Sequence, residues 1–463
     1  MKKILAVLAL LLQLQDGRLF AADFAAESRR RVRVENWKES QVDVAGRSRV
    51  VPVTAEVWTE AFQAELDRSG SLHIPARDHP YYIDGPLVLK SGQRILAETG
   101  AEIRLKPGSN TCMVRNENVT GFADIPVPAD TRPDTDLRLE GGIWTTLAVT
   151  PDESNGNLRG ASSKPPAVAG THGVILLQNV RRVVVRNLTV RQCRAFGVHL
   201  ANARNFLVEN LTLEGQRRDG VHVNGPASDG VIRGVRGDSH DDNVALNAWE
   251  WQNYAPSHGP IERVVIEDVT GAPSAARGAD SIRLLPGVKR FSDGTLLECP
   301  IADITLRNIT DIRDFKLYDQ PNLEVGRDKD CSHGIGTLRN ITFENLTFHR
   351  PGSIQVHANT NGLTVRGVKL LFPPPADYRL VELGPKSMTY RGAPGTDPSR
   401  WVEVFSPDLD CVVRNVAVSD VRSIGATEPL PIERVVKVVE QRPNPEYPKT
   451  TPRGGTGKAV WIR

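Results

Sequence analysis

The chain has 463 residues, 40% of them apolar, enough for one large core or for several ordinary domains. Its net charge of +3 and 6% aromatic content leave neither a basic footprint nor an aromatic base-stacking motif, so nucleic acid is not an expected partner. With 39 Gly and 32 Pro, many turns are expected.

At the start, Lys2 and Lys3 precede the apolar run Ile4 to Leu12, and the small residues Ala21 and Ala22 follow. This pattern predicts an export signal over 1–22 and a secreted or periplasmic protein. The apolar run is too short to span a bilayer, and no later segment predicts a membrane span. From Ala55 to Arg68 the apolar spacing predicts a short helix. Residues 70–108 then alternate short strands with Gly and Pro turns. A helix there would cap the open end of a stack of strands, whose unpaired backbone would otherwise invite edge pairing. Residues 151–170, PDESNGNLRGASSKPPAVAG, read as a polar surface loop.

A phrase of the form V-x-N-(L/I/V)-T recurs from there on. It appears as VRNLTV ending at Val190, VENLTL ending at Leu213, VIEDVTG near Asp268, LRNIT near Asn308 and LRNITFENLTF near Asn340. Looser copies lie at Gly234, Gly367 and Asn415. Each is a β-branched strand ending in a turn residue, and no helical period separates the copies. A repeat of 20-odd residues without helices predicts an all-β, single-stranded, right-handed parallel β-helix, here over 23–428 with an N-terminal helical cap. From Pro429 the repeat fades into a Pro-rich tail, 429–463.

A second strand fixes the register: HGVIL from His172, FGVHL from Phe196, DGVHV from Asp219, DNVAL from Asp242 and DSIRL from Asp280. Side chains alternate along a strand, so Val174, Val198, Val221, Val244 and Ile282 point inward with the residue two places on. The residues between them form an outward column, Ile175, His199, His222, Ala245 and Arg283, extended by Lys316 and Gln355. Two His, an Arg and a Lys predict an exposed working face.

Adjacent rungs lie about 4.8 Å apart, so equivalent positions in successive rungs become neighbours. Asp219 and Asp242 share the first place of their strands, Asp241 stands beside Asp242, and Asp280 aligns one segment later. Asp before Gly is a common turn and a lone Asp pair is often solvated; the shared register is what points to chemistry. Crowded carboxylates cannot all ionise, so one pKa should rise, giving the acid and the base that glycoside hydrolysis requires. The following insertion, NAWEWQNYAPSHGP, carries Trp249, Trp251 and Tyr254 as candidate platforms for sugar rings, with Glu250 as a reserve acid. No spacing suggests a zinc site, and no cofactor is expected. The cysteines Cys112, Cys193, Cys299, Cys331 and Cys411 are scattered; most should be buried thiols, with Cys299 and Cys331 the pair able to close.

DGVHV, then SHDDNVAL about one rung later, then SIRLLPG, together with the I-P, P-L-V-L-K-S-G and L-K-P-G phrases of the N-terminal part, resemble the polygalacturonases of glycoside hydrolase family 28 and their pectate-lyase-like β-helix relatives. The resemblance spans about 55–420. It implies Asp241 as general acid, Asp219 and Asp242 as the base side, inversion at the anomeric carbon, and Arg283 as a substrate-binding residue. His199, His222, Trp249, Trp251, His258, Asp280 and Lys316 join Arg283 as candidate substrate contacts, and a polysaccharide or oligosaccharide is the expected partner. Three departures stand out. Arg217-Arg218 occupies the place of the family's Asn-Thr, Leu285 that of the Lys in R-I-K, and only Ser257-His258-Gly259 matches the G-H-G motif. Since that Arg and Lys hold a uronate carboxylate in the family, the departures open the substrate to a neutral sugar, within the range of pectin-like or galactose-containing polysaccharides. Two other functions compete. One is a lyase with Ca²⁺ on the carboxylates and Arg283 or Lys316 as base; the other is a non-catalytic β-helix that holds glycan through Trp249 and Trp251.

Overall fold

A computed structural model describes residues 26–42, 48–109, 111–119, 130–146, 173–193, 195–249, 255–272, 280–291, 293–318, 336–384, 387–390, 402–405 and 411–439. The expected export signal, the loop 151–170 and all but the first residues of the expected tail lie outside them. Among the described residues no helix is long and apolar enough to cross a membrane.

The chain winds as a right-handed parallel β-helix, each rung carrying up to three strand faces. Arg33–Val42 and Ser48–Val57 first form an antiparallel hairpin, and Val57 passes the chain into the stack by pairing with Tyr82. The helix is Thr59–Ser69, later than the spacing predicts, because Val51 to Val57 are taken by the hairpin. It buries Ala61, Phe62 and Leu66 against the first rungs. Gly70 closes it at φ +73°, donating its N–H to the Leu66 carbonyl at 2.9 Å. Trp58, Phe62 and Tyr81 pack with ring centroids 5.2–5.4 Å apart, so an aromatic cluster plugs this end of the core.

In the middle of the stack one rung is one continuous strand with bends. Phe196–Gln216 pairs with Val221–Ser239 from Val198 to Gln216, with register shifts after Ala201 and after Leu213. The recurring phrase makes one of the bends: Asn187, Asn210, Asp268, Asn308 and Asn345 all sit at φ between +53° and +59°. Asn and Asp tolerate that region because their short side chains bond locally. The amides then link rung to rung, Asn210 to Asn187 at 3.1 Å and Asn308 to Asp268 at 3.1 Å. Asn340 and Asn415, similar in sequence, belong to another bend, where their amides bond Asp303 at 2.8 Å and Asn361 at 2.7 Å.

Inward positions stack Val, Ile and Leu into one continuous core. Each fully buried aliphatic side chain contributes roughly 1.5–3 kcal/mol, so the stack is held by repetition rather than by any single contact. Among the described residues the last parallel strand is Val436–Val438, paired with Val381–Leu383, so the winding runs past 428, where the repeat phrase fades. Cys112, Cys193, Cys299 and Cys411 are buried; Cys331 lies outside the described residues. Burial pushes the Cys193, Cys299 and Cys411 thiols up to about 12.

Candidate active site

The face that carries the predicted column is built from successive rungs. Leu176, His199, His222, Ala245, Arg283, Lys316, Gln355, Glu382 and Lys437 stand in strict register along it. The top of the column is corrected by one residue. Ile175 pairs with Val198 and points inward, so Leu176, not Ile175, precedes His199.

The expectation of a solvent-facing column fails in its first half. His199 is 0% and His222 1% exposed. His199 is held by Asn224 at 2.7 Å from Nε2 to Oδ1. The Phe196 ring lies flat on His222, with centroids 3.9 Å apart and planes 6° from parallel. Both histidines are therefore framework beside the site, not open sugar contacts. His258 is also buried, in the segment that follows the insertion.

At the start of these strands three carboxylates converge. Asp219, Asp241 and Asp242 each bring an oxygen within 4.8 Å of the others. The turn that presents them is tied by Ser239, whose hydroxyl accepts the Asp241 N–H at 3.2 Å and donates to the Arg218 carbonyl at 2.9 Å. Asp219 takes a 2.6 Å hydrogen bond from His222 Nδ1, and its other oxygen lies 3.4 Å from the Asp242 N–H. Asp242 is enclosed and heavily bonded: by Ser281 Oγ at 2.6 Å, Arg283 Nε at 2.8 Å and Lys316 Nζ at 2.9 Å. Asp241 is the accessible member, 32% exposed, with Arg218 at 3.5 Å.

The three environments split the carboxylates. Burial, with the negative charges of Asp219 and Asp242 beside it, pushes Asp241 up to about 7, against the pull of Arg283 and Arg218. Burial opposes ionisation of Asp242 as well, yet Arg283 and Lys316 override it and hold that carboxyl well below the usual range. At neutral pH one group can give a proton while its neighbour stays ionised.

Asp280 does not join the cluster. A bulge pairs Asp242 with Ser281, and this turns Asp280 away at φ +58° to bond Arg350 at 3.1 Å. Trp249 is no platform either. It is 1% exposed in the core, and a Cβ on Gly287 would stand 2.7 Å from its indole. Trp251, Tyr254 and Glu250 lie outside the described residues. Reading the sequence alone missed Ser281, Ser239, Arg218 and Phe196. Arg218 was visible as a departure from the family motif, whereas Ser281 depends on the bulge. A cleft of about 320 Å³ lined by Asn179, Arg181, Asn202, Ser228 and Glu262 lies round the corner on the next face, away from the triad; its lining offers no comparable set of acids, so the triad is the better candidate.

No protein-family model matches the chain, and no curated protein sequence does. Among solved structures it is similar to a family 28 exopolygalacturonase from Yersinia enterocolitica, at 13% identity and a TM-score of 0.46, over 88% of this chain and 84% of that one. It is also similar to an endo-xylogalacturonan hydrolase from Aspergillus tubingensis, at 12% identity and a TM-score of 0.38 over 87% and 95%. The surface adhesin PfbA of Streptococcus pneumoniae is similar at 13% identity and a TM-score of 0.37 over 80% and 90%.

Proposed function

We propose that the chain is a glycoside hydrolase acting on a polysaccharide at the Asp219, Asp241 and Asp242 triad. The observation that carries this reading is the unequal setting of three converging carboxylates: Asp241 stands accessible beside two like charges while Asp242 is bonded by Ser281, Arg283 and Lys316, which favours a proton on Asp241 and an ionised Asp242. Asp241 gives its proton to the glycosidic oxygen as the bond from that oxygen to the anomeric carbon breaks. Water attacks the same carbon and loses its proton on the base side, to Asp219, while Asp242 holds the water in line. Asp242, kept negative, also faces the positive charge that develops on the sugar.

Two features bear on stereochemistry in opposite senses. The 4.8 Å clustering is tighter than the gap of about 6.5–9.5 Å usual between opposed carboxyls of inverting enzymes. Against that, both oxygens of Asp242 are engaged by Ser281, Arg283 and Lys316, which suits an aligner of water better than a nucleophile. We take inversion as the outcome; proton NMR of the first-formed anomer tests it, and a retained configuration would overturn that part.

The same bonds bear on the substrate. Arg283, the expected host of a uronate carboxylate, and Lys316, a candidate sugar contact, both bond Asp242. A neutral, galactose-containing chain fits this site better than galacturonan. Secretion fits such a substrate and rests on the Lys2 to Ala22 pattern alone.

The deciding experiment compares wild type with Asp241→Asn on a panel of polysaccharides, following reducing ends and ultraviolet absorbance with and without chelator. Reducing ends without unsaturated product, indifferent to chelator and lost in the variant, support the hydrolase. An absorbing product that vanishes with chelator selects the Ca²⁺ lyase instead. Glycan binding with no product selects the non-catalytic reading.

A further inference from the structure

Among the described residues the working column is roofed on one side of the triad and open on the other. Leu176, His199, His222 and Ala245 are 0–1% exposed. Arg283 is 8% exposed, Lys316, Gln355 and Glu382 are half-buried, and Lys437 is exposed. The carboxylates stand at the starts of the His222 and Ala245 strands, at the edge of the roofed stretch.

The roof has identifiable parts. The segment 255–259 runs along the strand ends. Gln178 Nε2 bonds the Pro256 carbonyl at 2.9 Å, and Gly259 donates its N–H to the Ala248 carbonyl at 3.0 Å. In the register, Gln178, Ala201, Asn224 and Asn247 occupy successive rungs, so the segment crosses four of them. It is pressed down hard: Ser257 is 2% exposed, and a Cβ on Gly225 would stand 1.8 Å from the Gly259 carbonyl oxygen. Nearer the triad, Phe196 covers His222, and the Arg218 guanidinium sits 5.5 Å over the Phe196 ring.

Four rungs at the strand spacing span on the order of 15 Å, the length of about three sugar units. A polysaccharide bound through its middle would have to lie over that stretch. We propose that the site accepts the end of a glycan chain, which approaches over Lys316, Gln355 and Glu382, and that hydrolysis is exo-acting, releasing a short unit of fixed size. The inference rests on the hydrolase reading above, and its failure is separately visible.

The test uses the full-length protein on linear polygalacturonic acid, β-1,4-galactan and α-1,3-glucan, and on oligosaccharides of whichever is cut. Products are sized by anion-exchange chromatography at low conversion, with viscosity followed in parallel. The expected result is one product size from the first time point, each oligosaccharide shortening stepwise, with viscosity nearly constant. A ladder of intermediate sizes with an early viscosity drop overturns the exo inference and leaves the hydrolase standing. No cleavage of any of the three overturns both.

Discussion

His222 Nδ1 lies 2.6 Å from Oδ2 of Asp219, in a pocket where His222 is 1% and Asp219 4% exposed. The histidine is locked in turn by the flat Phe196 ring, so it has little freedom to let the carboxylate rotate. We expect His222 to position Asp219 without touching substrate. His222→Phe keeps a flat ring on Phe196 and removes the hydrogen bond. Loss of a bond to a charged group is worth about 1.5–3 kcal/mol, so kcat should fall roughly 10- to 100-fold with KM little changed. An unchanged kcat in a folded variant removes the positioning role.

The activity of the wild type should fall as pH rises through about 7, because Asp241 must be protonated to act as acid. The measurement is kcat against pH, in buffers of constant ionic strength. An alkaline limb well above 7 assigns the acid to some other group.

The raised Asp241 also costs stability at neutral pH. Its folded pKa lies above the ordinary carboxylate value, so the fold is best placed when the group is protonated. The wild type therefore loses stability as pH climbs from about 4 towards 7. Asp241→Asn escapes that penalty. Its Tm should match wild type at pH 4 and exceed it at pH 8 by roughly 1–3 °C for a chain of this size. A lower Tm at pH 8 would contradict the charge repulsion drawn above.

Asp242 has the opposite sign. Its folded pKa is depressed, so its contribution is present at neutral pH and lost as pH falls through the folded value. Lys316→Met leaves it with one cation, and both the acid limb of activity and the onset of acid unfolding should move to higher pH. Arg283→Met strips a nearly buried pair and should cost about 3–5 kcal/mol, read from chemical denaturation. A loss below about 1 kcal/mol would mark the pair as behaving like a surface contact.

A neutral substrate is the remaining expectation. β-1,4-Galactan or nitrophenyl galactosides should be cut faster than polygalacturonate, as compared by initial rates at equal reducing-end concentration. Preference for the uronate polymer would overturn the neutral-substrate reading, with the remaining N–H donors of Arg283 and Lys316 as the hosts of its carboxylate.

The winding was legible in the sequence because each rung repeats the same local demand. An Asn or Asp at a left-handed bend and alternate aliphatics on a strand leave a mark that survives in a single chain. Asp219 and Asp242 were legible for the same reason, since rung spacing converts sequence period into proximity. What the pattern could not carry was coverage. Alternation says that His199 and His222 point away from the core, but not that Phe196 and the segment 255–259 lie over them. The bulge before Val244 was equally silent, so Asp280 was aligned with Asp242 when Ser281 holds that place. Trp249 was misplaced because a loop's composition does not say whether its first residue turns outward or back inside.

The two ends of the winding are finished differently. At the start, Thr59–Ser69 and its aromatic cluster seal the first rungs, while among the described residues the winding ends on the three-residue strand Val436–Val438, with Val438 41% exposed. In a body where each layer leans only on its neighbours, fraying begins at the weaker terminus and proceeds layer by layer. Amide exchange should thus be fastest near Val438 and slow progressively toward Val221, leaving the triad among the last parts of the molecule to loosen on heating.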